Sequence, residues 1–264
     1  MTPRARLDVW LAEHGLAESR EKAQALVMAG RVRVDGAPAT KPGTPVRSSA
    51  AVEVVPGPAH VGRGALKLMA ALDAFGIDPA GQAALDVGAS TGGFTEVLLE
   101  RGARRVYAVD AGRGQLHERL RADPRVVVLE QTNARFLSKA EVPEPCDLAT
   151  MDVSFISVTK ILPTLLGLLA PTAEIVVLVK PQFEVGRAQV GRGGIVREAA
   201  LHEQAIRDVA RAAQDTLGCV VRGVFASPVE GAEGNREFFL RLGREGEPLS
   251  PGDLEAALRR AVTR

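Results

Sequence analysis

Asp86, Asp110, Asn133, Asp152 and Lys180 stand at, or shortly after, the carboxyl ends of successive apolar runs. In an open α/β sheet those ends form the rim where ligands bind. Lys180 closes the run Glu174–Val179, which has the apolar character of a central buried strand, and Pro181 then stops the pairing. An amine at such a place is poorly solvated. Desolvation and a neighbouring cation both lower an amine's pKa, and a neutral amine serves as a general base. Nearby carboxylates act the other way and hold an ammonium in place. Asp152 is the first partner from the adjacent strand end, and Glu237 opens the final strand. A lysine that merely reaches out to solvent is the competing reading, and at this level the two stand even.

Asp86-Val87-Gly88-Ala89-Ser90-Thr91-Gly92-Gly93-Phe94 follows the first apolar run. Glycines let the backbone turn tightly against a ligand, and the next helix offers its free N–H groups. The loop lacks the Gly-Lys-Ser/Thr of a P-loop and the Gly-x-Gly-x-x-Gly register of a dinucleotide site. Asp110 comes 24 residues after Asp86, at the end of the second run, where a carboxylate accepts both hydroxyls of a ribose. That feature serves NAD and S-adenosylmethionine (SAM) equally.

These residues need a scaffold, and the pattern supplies one. Strand-like runs fall at 83–87, 105–109, 126–129, 147–151 and 174–179, with helical segments around 93–101, 115–121, 157–169 and 198–215. Such alternation implies a parallel sheet with helices on both faces. Only a ten-residue turn-rich loop separates a sixth strand, 219–226, from a seventh, 237–242, so that pair is antiparallel. The start of the last strand, with Glu237, then lies on the rim where the parallel strands finish. A mostly parallel sheet with a terminal antiparallel hairpin is the usual α/β, Rossmann-like shape of SAM-dependent methyltransferases. Ser250 with Asp253 three residues on caps a final helical tail.

The first sixty residues lack this alternation. Leu7, Trp10, Leu11 and Leu16 recur near helical spacing, and Ser19 caps a second helix whose buried face is Ala23, Ala25, Leu26 and Met28, closed by Gly30. Arg31-Val32-Arg33-Val34 alternates as a half-buried strand, Asp35-Gly36 turns, and 51–55 returns as a strand. The division is a small α+β module over 1–58, a linker at 59–63 following Pro56-Gly57-Pro58, and a catalytic domain over 64–264.

The chain holds 33 Lys+Arg against 32 Asp+Glu, so any basic surface for nucleic acid must be local. Its two cysteines, Cys146 and Cys219, share no motif, which excludes a disulfide scaffold and suits a reducing cytosol. Pro163, Pro171 and Glu174 interrupt the most apolar stretch, and the N-terminus lacks a signal-peptide core. A cytoplasmic protein with no membrane partner is expected. His14, His60, His117 and His202 are scattered, no set has metal-ligand spacing, and no metal is expected.

Four motifs together resemble the TlyA family: Gly-Ala-Ser-Thr-Gly-Gly (88–93), Met-Asp-Val-Ser-Phe-Ile-Ser (151–157), Leu-Val-Lys-Pro-Gln-Phe-Glu (178–184) and Gly-Asn-Arg-Glu-Phe-Phe (234–239). Members are often labelled hemolysins and resemble FtsJ-type ribosomal RNA 2′-O-methyltransferases. Residues 6–36 resemble the small RNA-binding module of ribosomal protein S-four. The resemblance implies a Lys-Asp-Lys-Glu tetrad of Lys67, Asp152, Lys180 and Glu237, with Gly62 where the family more usually has serine. It implies SAM as cofactor, held by Asp86, Gly88, Ala89, Ser90, Thr91, Gly92, Asp110 and Asn133. The implied substrate is a ribosomal RNA cytidine, in the small or large subunit or both. Lys180 is then the base, with Lys67 lowering its pKa and Asp152 and Glu237 fixing its position. RNA is expected on Arg4, Arg6, Arg20, Arg31 and Arg33 of the module and on Arg187 and Arg192 after Lys180. Two competitors remain: an NAD-dependent oxidoreductase, which leaves the hairpin and the module unexplained, and a membrane-active toxin, which no amphipathic basic helix supports.

Overall fold

A computed structural model describes residues 4–28, 30–55, 60–231 and 234–263. The chain divides into two compact units, Met1–Ala59 and His60–Arg264. The Pro56-Gly57-Pro58 segment lies outside the described residues, and 60–63 fall in the second unit.

The first unit runs β1 (Arg4–Arg6), α1 (Leu7–Glu13), α2 (Arg20–Met28), β2 (Val32–Val34), β3 (Ala37–Ala39), β4 (Pro45–Arg47) and β5 (Val52–Val54). Leu7, Leu11, Ala23, Val27, Val32 and Val46 form its core. The buried face of α2 is Ala23 and Val27, whereas Ala25 and Met28 are exposed, a correction to the sequence reading. At 100° per residue, Val27 follows Ala23 on one face and Met28 turns away from it. Asp35 and Gly36 both take positive φ, as a tight hairpin turn requires. That turn leads into β3, and the strand at 52–54 pairs with the other edge of β2. Strands β1 and β4, paired with each other, had no sequence signal, being three residues each.

The second unit opens with α3 (Gly64–Phe75), ended by Gly76 in the left-handed conformation. It continues β6 (Ala83–Val87), α4 (Gly93–Glu100), β7 (Arg105–Val109), α5 (Glu118–Arg121), β8 (Val126–Leu129), β9 (Cys146–Met151), α6 (Leu162–Leu166) and β10 (Leu169–Val179). Then come α7 (Pro181–Glu184), α8 (Ala199–Arg211), β11 (Val220–Ala226), β12 (Phe238–Gly243) and α9 (Pro251–Thr263). The sheet order is β11-β12-β10-β9-β6-β7-β8, parallel except for β12, which runs antiparallel between β11 and β10. This bears out the fold class. One apolar layer, with α6, α8 and α9, covers one face of the sheet, and a second, with α3 and α4, covers the other. Ser250 Oγ accepts the Asp253 N–H at 3.1 Å and donates to its carboxylate at 2.6 Å, starting α9 as expected.

Two helices are corrected. The segment expected helical over 157–169 holds a 3-10 turn at Val158–Lys160 and the short α6, and by Leu169 the chain has entered β10. Pro163 sits at the start of α6 and Pro171 inside the first part of β10, where the register with β9 shifts. The helix expected over 115–121 is a single turn at α5.

Candidate functional site

The carboxyl ends of β6, β7, β9 and β10 and the start of β12 meet around two adjoining clefts. One, about 460 Å³, opens between the loops after β6 and β7 and is lined by Gly88, Ser90, Asp110, Asn133, Ile156 and Ile161. The other, about 670 Å³, is lined by Arg63, Lys67, Lys180, Gln182 and Glu237. Ser90, after β6, and Asp152, Ser154 and Phe155, after β9, line both and form their common wall.

Two ion pairs sit in the second cleft. Lys180 Nζ lies 2.6 Å from Asp152 Oδ1 and donates to Ser154 Oγ at 2.9 Å. Lys67, from α3, donates to Glu237 Oε2 at 2.6 Å. Lys180 is 9% exposed, Lys67 8% and Glu237 3%, so the pairs are shielded from water on most sides. Two ammonium groups and two carboxylates balance in charge. The pairing corrects one detail of the sequence reading: Glu237 binds Lys67, and the Lys180 amine is held by Asp152 and Ser154 instead. The antiparallel register explains the meeting, because Val179 pairs with Phe238 and sets Lys180 and Glu237 on one rim.

The glycine loop follows from close approach. Gly88 has φ 86°, and a Cβ there would stand 2.2 Å from the Asp152 carbonyl oxygen. The Asp152 N–H in turn donates to the Val87 carbonyl at 2.9 Å, so the two strand ends are fastened together. Asp110 accepts the Ser90 N–H at 2.8 Å on one oxygen and the Gly112 N–H at 2.7 Å on the other. A carboxylate has about four acceptor sites, which leaves capacity for a diol. Asn133 lines the same cleft, its side-chain oxygen accepting the Arg135 N–H.

Three loop positions do not line the cleft. Ala89 is buried, Thr91 carries the His117 N–H on its carbonyl, and a Cβ at Gly92 would strike Leu120. Asp86 is corrected more sharply, since it is fully buried and absent from the rim. Thr95 Oγ1 donates to it at 2.6 Å and Thr150 Oγ1 at 3.1 Å, which ties β6 to α4 and β9 beneath the loop. Burial pushes its carboxyl up to about 7, against the pull of the two hydroxyls.

The arginines divide. Arg6 grips the buried Asp8 with two bonds of 3.0 Å, and Arg20 joins it at 3.1 Å, so both are structural clamps whose remaining faces stay exposed. Arg31 Nε donates to the Val55 carbonyl, whereas Arg33, Arg187 and Arg192 are exposed. The Arg4 side chain lies outside the described residues.

Sequence reasoning missed Ser154, Phe155 and Gln182. The available signals were their position just after Asp152 and Lys180 and their place in the motifs at 151–157 and 178–184. Phe155 is 91% exposed, holds φ 65°, and packs on Phe183 with ring centres 5.2 Å apart. Folding also gathers His60, Glu96 and Glu100, with Arg119 on Glu96, a grouping invisible in the spacing. Among the described residues no helix is long and apolar enough to cross a membrane.

Residues 60–244 match the FtsJ-like methyltransferase family, and 5–52 match the S4 domain. The chain is 52% identical over 266 residues to the 16S/23S rRNA (cytidine-2′-O)-methyltransferase TlyA of Mycobacterium tuberculosis, covering 100% of this chain and 99% of that one. It is 40% identical to Hemolysin A of Brachyspira hyodysenteriae, over 88% of this chain and 97% of the relative. A solved structure named as a hemolysin from Streptococcus thermophilus superimposes with a TM-score of 0.74 at 39% identity, covering 100% of this chain and 97% of that one.

Proposed function

The chain belongs to the FtsJ-like methyltransferase family, and from that premise we propose that it methylates the 2′-hydroxyl of a cytidine in ribosomal RNA, with SAM as donor. The observation that carries this is the pair of buried Lys–carboxylate contacts opening onto the wall shared by the two clefts. A ribose hydroxyl is a weak nucleophile, and the protein's work is to align it and take its proton.

The cofactor-side cleft suits SAM in its donor set. Asp110 has acceptor capacity for the ribose hydroxyls, Asn133 offers an amide for a base edge, and Ile156 and Ile161 give apolar walls. When bound there, the cofactor supplies an activated methyl group. Lys180 removes the proton of the hydroxyl in the second cleft. Asp152 orients that amine, and Lys67 with Glu237 fixes the opposite side of the cleft. Asp86 holds the glycine loop from below, and Ala89, Thr91 and Gly92 shape it. The S4 unit, through Arg4, Arg33 and the outer faces of Arg6, Arg20 and Arg31, grips RNA phosphates. Arg187 and Arg192 do so beside the site.

Incubating the protein with ribosomal subunits and SAM, then mapping 2′-O-methylated positions, tests the reading directly. A new methylated cytidine is expected, and none in either subunit refutes it. Asp110→Ala is expected to weaken SAM binding by about 1–3 kcal/mol in calorimetry, the value of charge-assisted hydrogen bonds. Unchanged affinity would move the cofactor off this strand end. Arg31→Glu with Arg33→Glu is expected to weaken subunit binding and flatten its salt dependence, since fewer counterions are released, while SAM affinity holds. Arg33→Glu alone, which spares the bond to Val55, is expected to act in the same direction.

A further inference from the structure

Ser154 has no counterpart among the residues assigned above, yet it makes a direct contact with the proposed base. Its side chain is exposed, lines both clefts, and accepts a hydrogen bond from the largely buried Lys180 amine at 2.9 Å. The lysine nitrogen is tetrahedral, with three directions beyond its bond to carbon. Ser154 Oγ occupies one at 2.9 Å, while Asp152 Oδ1 stands 2.6 Å from the nitrogen as a charge contact outside hydrogen-bond geometry. Lys180 lines the second cleft, so a direction of the nitrogen is left to whatever that cleft holds.

We propose that Ser154 is a positioning residue for the methyl transfer: it takes the directed N–H bond of the Lys180 amine, with Asp152 beside it as the charge partner, and so turns the nitrogen's lone pair toward the 2′-hydroxyl. The inference rests on the function proposed above. Without that acceptor, the amine turns about its terminal bond and the lone pair meets the hydroxyl only part of the time. In the step itself the hydroxyl proton ends on the Lys180 nitrogen. The oxygen's electron pair forms the new O–C bond, and the pair of the broken S–C bond stays on sulfur. The ammonium so formed gives its proton to solvent through the open cleft before the next turnover.

The rest of the segment is built to hold Ser154 still. Ser157 Oγ donates to Glu184 Oε2 at 2.6 Å, and the Val158 N–H donates to Glu184 Oε1 at 3.0 Å. Glu184 ends α7, the helix that begins directly after Lys180, so amine and hydroxyl are carried on one braced frame. The charged groups lining the cleft with Lys180 are Asp152 at the end of β9, Arg63 and Lys67 at the start of α3, and Glu237 before β12.

The full-length protein, ribosomal subunits and SAM provide the test, with Ser154→Ala and Ser154→Thr compared with wild type under single-turnover conditions. Ser154→Ala is expected to lose roughly 10- to 100-fold in rate, the scale of a misaligned proton transfer. Rates are compared at saturating SAM, and its melting temperature is expected to stay at the wild-type value. The threonine variant, which keeps the hydroxyl, is expected to recover most of the rate. A rate within twofold of wild type overturns the inference, as does a lost rate that threonine does not rescue. Failure of the wild type itself to methylate ribosomal RNA overturns the functional reading, and this inference with it.

Discussion

Lys180→Ala is expected to slow methyl transfer to ribosomal RNA by roughly 10²- to 10⁴-fold, the contribution of a positioned general base. SAM affinity should change little, because Lys180 lines only the second of the two clefts. Lys180→Arg separates the two things the amine does. A guanidinium keeps a cation beside Asp152 but does not deprotonate in proteins, so this variant should be as slow as the alanine one. Single-turnover rates at saturating SAM decide the matter. An arginine variant near wild-type speed would reduce Lys180 to a charge that holds Asp152, and proton removal would have to be sought elsewhere in the cleft.

The second large effect is on stability. Asp86 is fully buried under the glycine loop and its carboxyl is pushed up to about 7, chiefly by burial. Unfolding returns it to the ordinary value of 3.8. Between those values the folded chain binds the extra proton, so this group's contribution falls as pH rises and is lost once pH passes about 7. Asp86→Asn stays neutral throughout. From pH 5 to pH 8 the wild type should therefore lose about 3 kcal/mol relative to the variant. Denaturant unfolding at the two pH values measures the difference. A constant gap would show that Asp86 stays ionised across the range.

The sheet was legible because its central strands are buried on both faces. Runs such as Ala83–Val87 and Arg105–Val109 are apolar enough to mark both ends within a residue. Helices were legible where an apolar stripe was long, as in α8, and not where proline or a single turn intervened, as at α5 and α6. Of the three-residue strands of the first unit, β2 and β5 were legible, and β1, β3 and β4 fell below any periodicity. At the site, rim position identified Asp110, Asp152 and Lys180 as candidates, and the antiparallel argument brought Glu237 to them. Lys67 required the family resemblance, since nothing in the pattern of α3 distinguishes a lysine facing inward. The depth of Asp86 was not readable either: a strand's last polar residue looks the same one position inside the sheet as on its rim. The partners of Arg6 and Arg20 stayed hidden because Asp8 is drawn into the core by folding alone.

Glu237 reaches Lys67 across 170 residues of chain, and the strand it introduces lies between β10 and β11 instead of at an edge. During synthesis, α3 and the parallel strands emerge long before their closing piece. Until about residue 243 has left the ribosome, one side of β10 stays unpaired and the two ion pairs cannot both exist. Contacts of such long range also close slowly, for the loop entropy falls due before the contact stabilises anything. A nascent or C-terminally truncated chain is thus without its reactive centre, and modification of ribosomal RNA is left to molecules whose translation is complete.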